Sequence, residues 1–150
     1  MRRTDRGRSE RGTATVEFAL LLPVMAVLAL IVSEGAAAIR THQVLNNAAR
    51  EGARVAVIPE NGPVNGVSDS AVIAAVKNAA VVYAASNGVS ISASNIAVNQ
   101  LLLVPTASGI GLKASQVTVT YSYPLTYLPN FGSVSASIPM SVSAEFKNFY

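Results

Sequence analysis

The sequence predicts an α+β fold that begins with one long helix, whose first half is apolar enough to span a membrane. Residues 18–33 read FALLLPVMAVLALIVS and contain no charged residue. Helical spacing of apolar residues continues to residue 58 and returns near residue 70, whereas from residue 89 onward apolar residues tend to alternate. We therefore expect a second helix and a small antiparallel sheet after the long helix.

Charged residues are scarce and unevenly placed. They make up 13% of the chain, against about 25% in an ordinary globular domain. Residues 1–12 hold five arginines and two acids, and this excess equals the formal net charge of the whole chain, +3. The high pI therefore belongs to a short basic leader and does not indicate a basic face, so we expect no nucleic-acid partner.

Residues 13–39 form the predicted membrane span. They contain only two ionisable groups, Glu17 and Glu34, and about 20 mainly apolar residues suffice to cross a bilayer. Glu34 is a candidate assembly residue: it pairs with Arg40 or with a neighbouring subunit, or it simply marks the outer membrane boundary. The arginines before the span predict a cytoplasmic N-terminus and an exported C-terminal part. Pro23 lies inside the span, where it removes one backbone donor and is expected to kink the helix. A cleaved secretory signal is the alternative, with Ala36–Ala38 as its one candidate cleavage site.

The sequence offers no set of residues for catalysis. It has no cysteine and one histidine, His42, which excludes thiol nucleophiles, zinc–thiolate sites and histidine-based metal sites or proton relays. The only acids after residue 60 are Asp69 and Glu145, too few for a convincing carboxylate pair. There is no glycine-rich phosphate loop. We expect no enzyme activity, cofactor, metal or small-molecule substrate.

The junction between leader and span carries the most specific motif, R-G-T-A-T-V-E-F at residues 11–18. A glycine, four residues and then Glu17-Phe18 before an apolar helix resemble the processing site of type IV prepilins, especially the tight-adherence (Flp) branch. The resemblance implies that a prepilin peptidase cuts between Gly12 and Thr13 and removes residues 1–12. It also implies that Glu17 neutralises the new α-amine of a neighbouring subunit, a charge pair that fixes register more than it stabilises. Alternatively, Glu17 simply lies at the headgroup level, where it favours the helix N-terminus.

A second block, N-N-A-A-R-E-G-A-R at residues 46–54, follows the span. With the first motif and the Glu34-Gly35 pair, it resembles the TadE-like family of minor pseudopilins in tight-adherence pilus systems, although no aromatic residue stands next to Glu34. The resemblance covers about residues 11–57. It implies a pilin-like structural protein of the cytoplasmic membrane or a surface pilus. The implied partners are a prepilin peptidase, other pilin or pseudopilin subunits and pilus assembly proteins.

A competing hypothesis is an unprocessed single-pass membrane protein, whose exported domain binds an envelope or surface partner. A soluble or secreted enzyme is a more distant third. The first two hypotheses make opposite predictions for Gly12, because a bulky residue there blocks processing in one and changes nothing in the other.

Residues 40–58 are predicted to continue the helix with one polar and one apolar side. The polar side carries three charged residues, Arg50, Glu51 and Arg54, of which Glu51 can reach Arg54 across one turn. The apolar side has small residues every four positions: Ala48, Gly52 and Ala56. Such a seam lets another backbone come close. It serves either as a helix–helix assembly surface or as a surface packed against the protein's own domain, and the sequence favours neither.

Residues 59–150 form the predicted exported α+β domain. A helix is expected over residues 70–86, capped by Ser68 or Asp69 and followed by Gly88. Its expected buried stripe is Val72, Ile73, Val76, Ala80 and Tyr83. The expected strands cover residues 89–92, 96–98, 101–104 and 117–123, with a last alternation of apolar residues over 134–146.

Overall fold

The computed structural model describes residues 6–58, 61–63, 68–105, 111–126 and 137–148, with side chains from residue 12 onward. In chain order the elements are α1 (Arg6–Ala56), α2 (Ser70–Ser86), a short 3-10 helix (Ala93–Asn95), β1 (Ile96–Val104), β2 (Leu112–Pro124) and β3 (Ser137–Lys147). A long helix, a second helix and a three-stranded antiparallel sheet confirm the α+β class.

Helix α1 is continuous over 51 residues and includes Pro23. In the described part of the chain it is the one helix long and apolar enough to cross a membrane, and none of its most apolar 18-residue window is buried. Every residue from Gly12 to Ser33 is exposed, and Glu34 is the first buried one. This long apolar helix near the N-terminus fits a single membrane span.

Helix α2 has the caps that its sequence predicts. The carboxylate of Asp69 accepts a hydrogen bond from the backbone N–H of Ala71 at 2.8 Å, which satisfies one of the free donors of the first turn. At the other end, Gly88 has a φ of +80°, a left-handed conformation that favours glycine. The N–H of Val89 then bonds to the carbonyl of Ala84. Asp69, rather than Ser68, is therefore the N-cap.

The sheet has the order β1-β2-β3, with both pairs antiparallel. Val117 and Val119 of the central strand are fully buried. In the β1–β2 pair the register shifts between Asn99 and Leu102. The two predicted strands at 96–98 and 101–104 are parts of one strand, β1, which contains this bulge. The prediction missed their continuity because the bulge interrupts the alternation of side chains.

The chain divides into two compact units. One contains Met1–Ala37 with Leu125–Ala136, and the other contains Ala38–Pro124 with Ser137–Tyr150. The core of the second unit joins the apolar side of α1, one side of α2 and one face of the sheet. Its most buried apolar residues include Leu45, Ala48, Ala49, Ala53, Val76, Ala80, Ala84, Ile96, Val117 and Val119. Many of these are alanines, which lets the two helices approach each other closely.

The predicted strand at residues 89–92 is wrong. The segment forms no strand and leads into the 3-10 helix, for which the Ser92 hydroxyl provides a cap. Val89 and Ile91 are nevertheless buried. The alternation therefore indicates an extended backbone that places two side chains in the core without forming strand hydrogen bonds. Of the predicted alternation over 134–146, residues 134–136 lie outside the described residues, and Met140, Val142 and Ala144 are buried.

Candidate processing and assembly site

The predicted processing residues all lie on α1, within the stretch of residues 12–33, where every residue is exposed. Gly12, Thr13, Glu17 and Phe18 are exposed, and the phenyl ring of Phe18 is among the most exposed apolar groups. A Cβ added to Gly12 would meet no atom within 4 Å. A larger residue at position 12 therefore has room, and the fold itself does not require glycine there.

Pro23 lies in the middle of the exposed apolar stretch. With Val24, Val27 and Leu28 it lines a shallow apolar groove on the helix surface. Its ring removes one backbone donor, yet the helix continues through it. Membrane helices tolerate such a proline more readily than helices in water do.

Glu34 has a partner that the sequence did not reveal. Its side chain is 3% exposed. Both carboxylate oxygens accept the backbone N–H of Thr126, at 3.2 and 3.1 Å, across 92 positions of the chain. Both residues belong to the first unit. A hydrogen bond to a charged acceptor contributes more than one between neutral groups, about 1.5–3 kcal/mol. Glu34 thus ties the start of the β2–β3 connection to α1.

The small-residue seam of α1 is covered by the second unit itself. Ala48 and Ala56 are fully buried. A Cβ at Gly52 would lie 3.2 Å from the carbonyl oxygen of Val76 and 3.4 Å from Cγ1 of Val117. Of the two alternatives for this seam, packing against the protein's own domain is the one that the structure contains. The structure does not test an assembly role for these residues, which stays a prediction.

The polar side of α1 over residues 43–54 is exposed or half-exposed and includes an ion pair. The Arg54 guanidinium donates to both carboxylate oxygens of Glu51, Nη2 to Oε1 at 2.7 Å and Nε to Oε2 at 3.1 Å. This hydrogen bond lowers the pKa of Glu51, with a smaller opposing effect of burial and a further lowering from the positive charge. Arg50 is exposed on the same side. These three residues are accessible to another chain, unlike the seam.

A buried polar cluster connects the end of α1 to the sheet. The Gln100 amide donates to the carbonyls of Ala56 and Asn61, at 3.1 and 2.9 Å, and so satisfies a carbonyl at the end of α1. The Asn148 amide donates to the Gln100 carbonyl at 3.2 Å, and the Ser115 hydroxyl donates to Asn148 at 2.8 Å. No local sequence pattern predicted this cluster. The available signal was a pair of amide residues, Asn99 and Gln100, between two apolar segments.

The described residues contain no group of three or more His, Cys, Asp or Glu side chains that could hold a metal ion. His42 is exposed. The structure therefore places the predicted functional residues along one helix. Processing residues lie near its start, Glu34 lies where burial begins, and the exposed charged residues lie on its last turns.

Residues 12–54 match the model of a protein family that is described as TadE-like protein. The match runs from the glycine of the leader junction to the last arginine of α1. The comparison with curated proteins and the comparison with solved structures each give no match. The resemblance noted from the two sequence blocks is thereby confirmed.

Proposed function

Because residues 12–54 match the TadE-like family, whose members are structural components associated with the tight-adherence (Tad) pilus, we propose that the chain is a minor pseudopilin. In this proposal it is made as a precursor, and a prepilin peptidase cuts after Gly12. The mature chain then begins at Thr13. The observation that carries the proposal is the family match over a motif that contains the glycine, the glutamate and the apolar helix together.

The exposed part of α1 supports a role in the membrane. An apolar surface that the protein does not cover needs lipid or other apolar helices around it. Residues 12–33 are exposed throughout and carry one ionisable group, Glu17. We assign this stretch to the cytoplasmic membrane, with the basic leader in the cytoplasm. The second unit, whose net charge is small, is exported.

Glu17 has the chemistry that assembly requires. Hydrolysis of the Gly12–Thr13 peptide bond creates a positive α-amine at Thr13, close to an exposed carboxylate four positions further along the helix. A carboxylate near a membrane helix end is costly unless it is paired. Pairing with the amine of a neighbouring subunit neutralises both charges and sets the register between helices. The structural partners of the chain are accordingly other pilin or pseudopilin subunits and pilus assembly proteins.

A second candidate function is supported by exposed apolar residues on the sheet. Leu101 and Leu103 of the edge strand β1 are 48% and 66% exposed. Among the described residues, β1 pairs with β2 on one side only, and a strand edge with apolar side chains is a surface to which an envelope or surface partner can bind. In this alternative the chain is an unprocessed single-pass membrane protein.

The structure supplies a matched pair of variants to test processing. Gly12 and Gly35 are both exposed on α1, and a Cβ at either position would meet no atom within 4 Å. We expect Gly12→Val to abolish cleavage by the peptidase in cells and Gly35→Val to leave it unchanged, as read from the mass of the purified chain. Normal cleavage of the Gly12→Val protein would refute processing at this site.

A further inference from the structure

The position of Glu34 bears on where the membrane span ends. Glu34 is buried and accepts hydrogen bonds from the backbone N–H of Thr126. Thr126 lies two residues after the end of β2, in backbone that is neither helix nor strand. Backbone of this kind does not occur exposed to lipid within the hydrocarbon core, because its polar groups have no partners there. Thr126 must therefore lie outside the hydrocarbon core, and the carboxylate bonded to it lies at or beyond the same boundary.

The length of the exposed stretch agrees with this boundary. Thr13 to Ser33 is 21 residues, or about 31 Å of helix, and the hydrocarbon core is about 30 Å thick. A span over residues 13–39 is about 40 Å long and exceeds the core. The exposure pattern changes at the same place, since residues 12–33 are all exposed and Glu34 is buried.

We propose that Glu34 is an anchor at the outer surface of the membrane, which holds the first residues after β2 and ends the span at Ser33. This inference rests on the single-pass topology proposed above and goes beyond it in naming the boundary and the residue that sets it. The anchor is intramolecular, because the donor and the carboxylate belong to the same chain. The carboxylate is accommodated at the edge of the hydrocarbon because a backbone donor is in place.

The absence of cysteine from the chain permits a direct measurement of depth. Single cysteines replace Val27, Gly35 or His42, all exposed, in the full-length protein. Each variant is reconstituted in lipid nanodiscs and treated with a water-soluble maleimide. Both membrane faces are open in a nanodisc, so labelling depends on depth and not on orientation or processing. We expect Gly35→Cys to react nearly as fast as His42→Cys, and Val27→Cys to show a loss of labelling. Protection of Gly35→Cys equal to that of Val27→Cys would overturn the proposed boundary.

Hydrogen exchange of the Thr126 amide tests the anchor itself. We expect Glu34→Ala to speed its exchange about tenfold, because the acceptor of its hydrogen bond is lost. Glu34→Gln keeps an oxygen acceptor and should retain part of the protection. Glu51→Ala, which removes an exposed carboxylate on the same helix, should leave it unchanged. Slow exchange of the Val119 amide, in the central strand, shows that a variant is folded. Unchanged Thr126 exchange in a folded Glu34→Ala protein would refute the anchor, whether or not the chain is processed after Gly12.

Discussion

Gly52 is the position where the packing of α1 makes the sharpest prediction. A Cβ there would lie 3.2 Å from the Val76 carbonyl oxygen, 3.4 Å from Cγ1 of Val117 and 3.5 Å from the Cβ of Ala80. The closest of these is a backbone atom, which cannot move without shifting α2. A valine adds two further methyl groups to the same space, so Gly52→Val forces the two helices apart.

The size of the effect follows from two opposing contributions. Overpacking of a core costs about 1–3 kcal/mol, whereas replacing a helical glycine recovers about 0.5 kcal/mol in the case of valine. For Gly52→Val we expect a net loss of about 2 kcal/mol, near the upper part of this range because the obstacle is backbone. For a domain of this size that corresponds to a fall in Tm of about 10 °C. Gly52→Ala should cost less than Gly52→Val, since it lacks the two further methyl groups.

The assay is thermal and urea unfolding of the full-length protein in detergent, followed by circular dichroism. Asn47→Val is the matched control, because Asn47 is exposed on the same helix and the variant reports the effect of valine without the contact. Equal stability of Gly52→Val and Asn47→Val would refute the close packing of α1 against α2 and β2.

Three further variants test other parts of the structure. Gln100→Leu removes the side-chain donor from two backbone carbonyls, one buried and one half-buried, and should destabilise the fold by about 2 kcal/mol. Gln43→Leu, on the exposed side of α1, should change little; equal unfolding curves would contradict the buried cluster. Asp69→Ala should cost about 1 kcal/mol through the lost N-cap, and Asp69→Asn only a fraction of that, as measured by urea unfolding. The pKa of Glu51 is lowered by Arg54, so the pair contributes stability above the unfolded-state pKa and loses it as the pH falls through the folded one. The contribution is small for an exposed pair. Glu51→Gln should therefore slightly reduce the fall in Tm that accompanies acidification. A variant whose Tm falls with pH as much as that of the original protein would disprove this.

The parts of the fold that the sequence predicted well are those specified by local signals. Helix α2 has the predicted bounds because an aspartate caps one end and a glycine in left-handed conformation follows the other. Val76 and Ala80 are buried as expected. At the end of the helix the buried residue is Ala84, and not Tyr83 as predicted. A tyrosine at this place can stay half exposed, whereas the close approach to α1 requires a small residue.

The predictions that failed or were not made concern contacts between segments that are distant in the sequence. The conformation of each segment by itself was easier to predict. Alternation at residues 89–92 indicates an extended backbone but cannot reveal whether a partner strand is present, and within the part of the chain that the structure describes there is none. Glu34 and Thr126 are 92 positions apart, so no local pattern connects them. The same holds for Gln100 and its partners, which come from three separate parts of the chain. The motif at residues 11–18, by contrast, is entirely local, so its resemblance to a prepilin processing site does not depend on the fold.

The most direct test of the account is the N-terminus of the protein taken from its native membrane. Intact mass and N-terminal sequencing should show a chain that begins at Thr13, with residues 1–12 removed. A chain that still begins at Met1, in cells with an active prepilin peptidase, would contradict processing and with it the assignment as a pseudopilin.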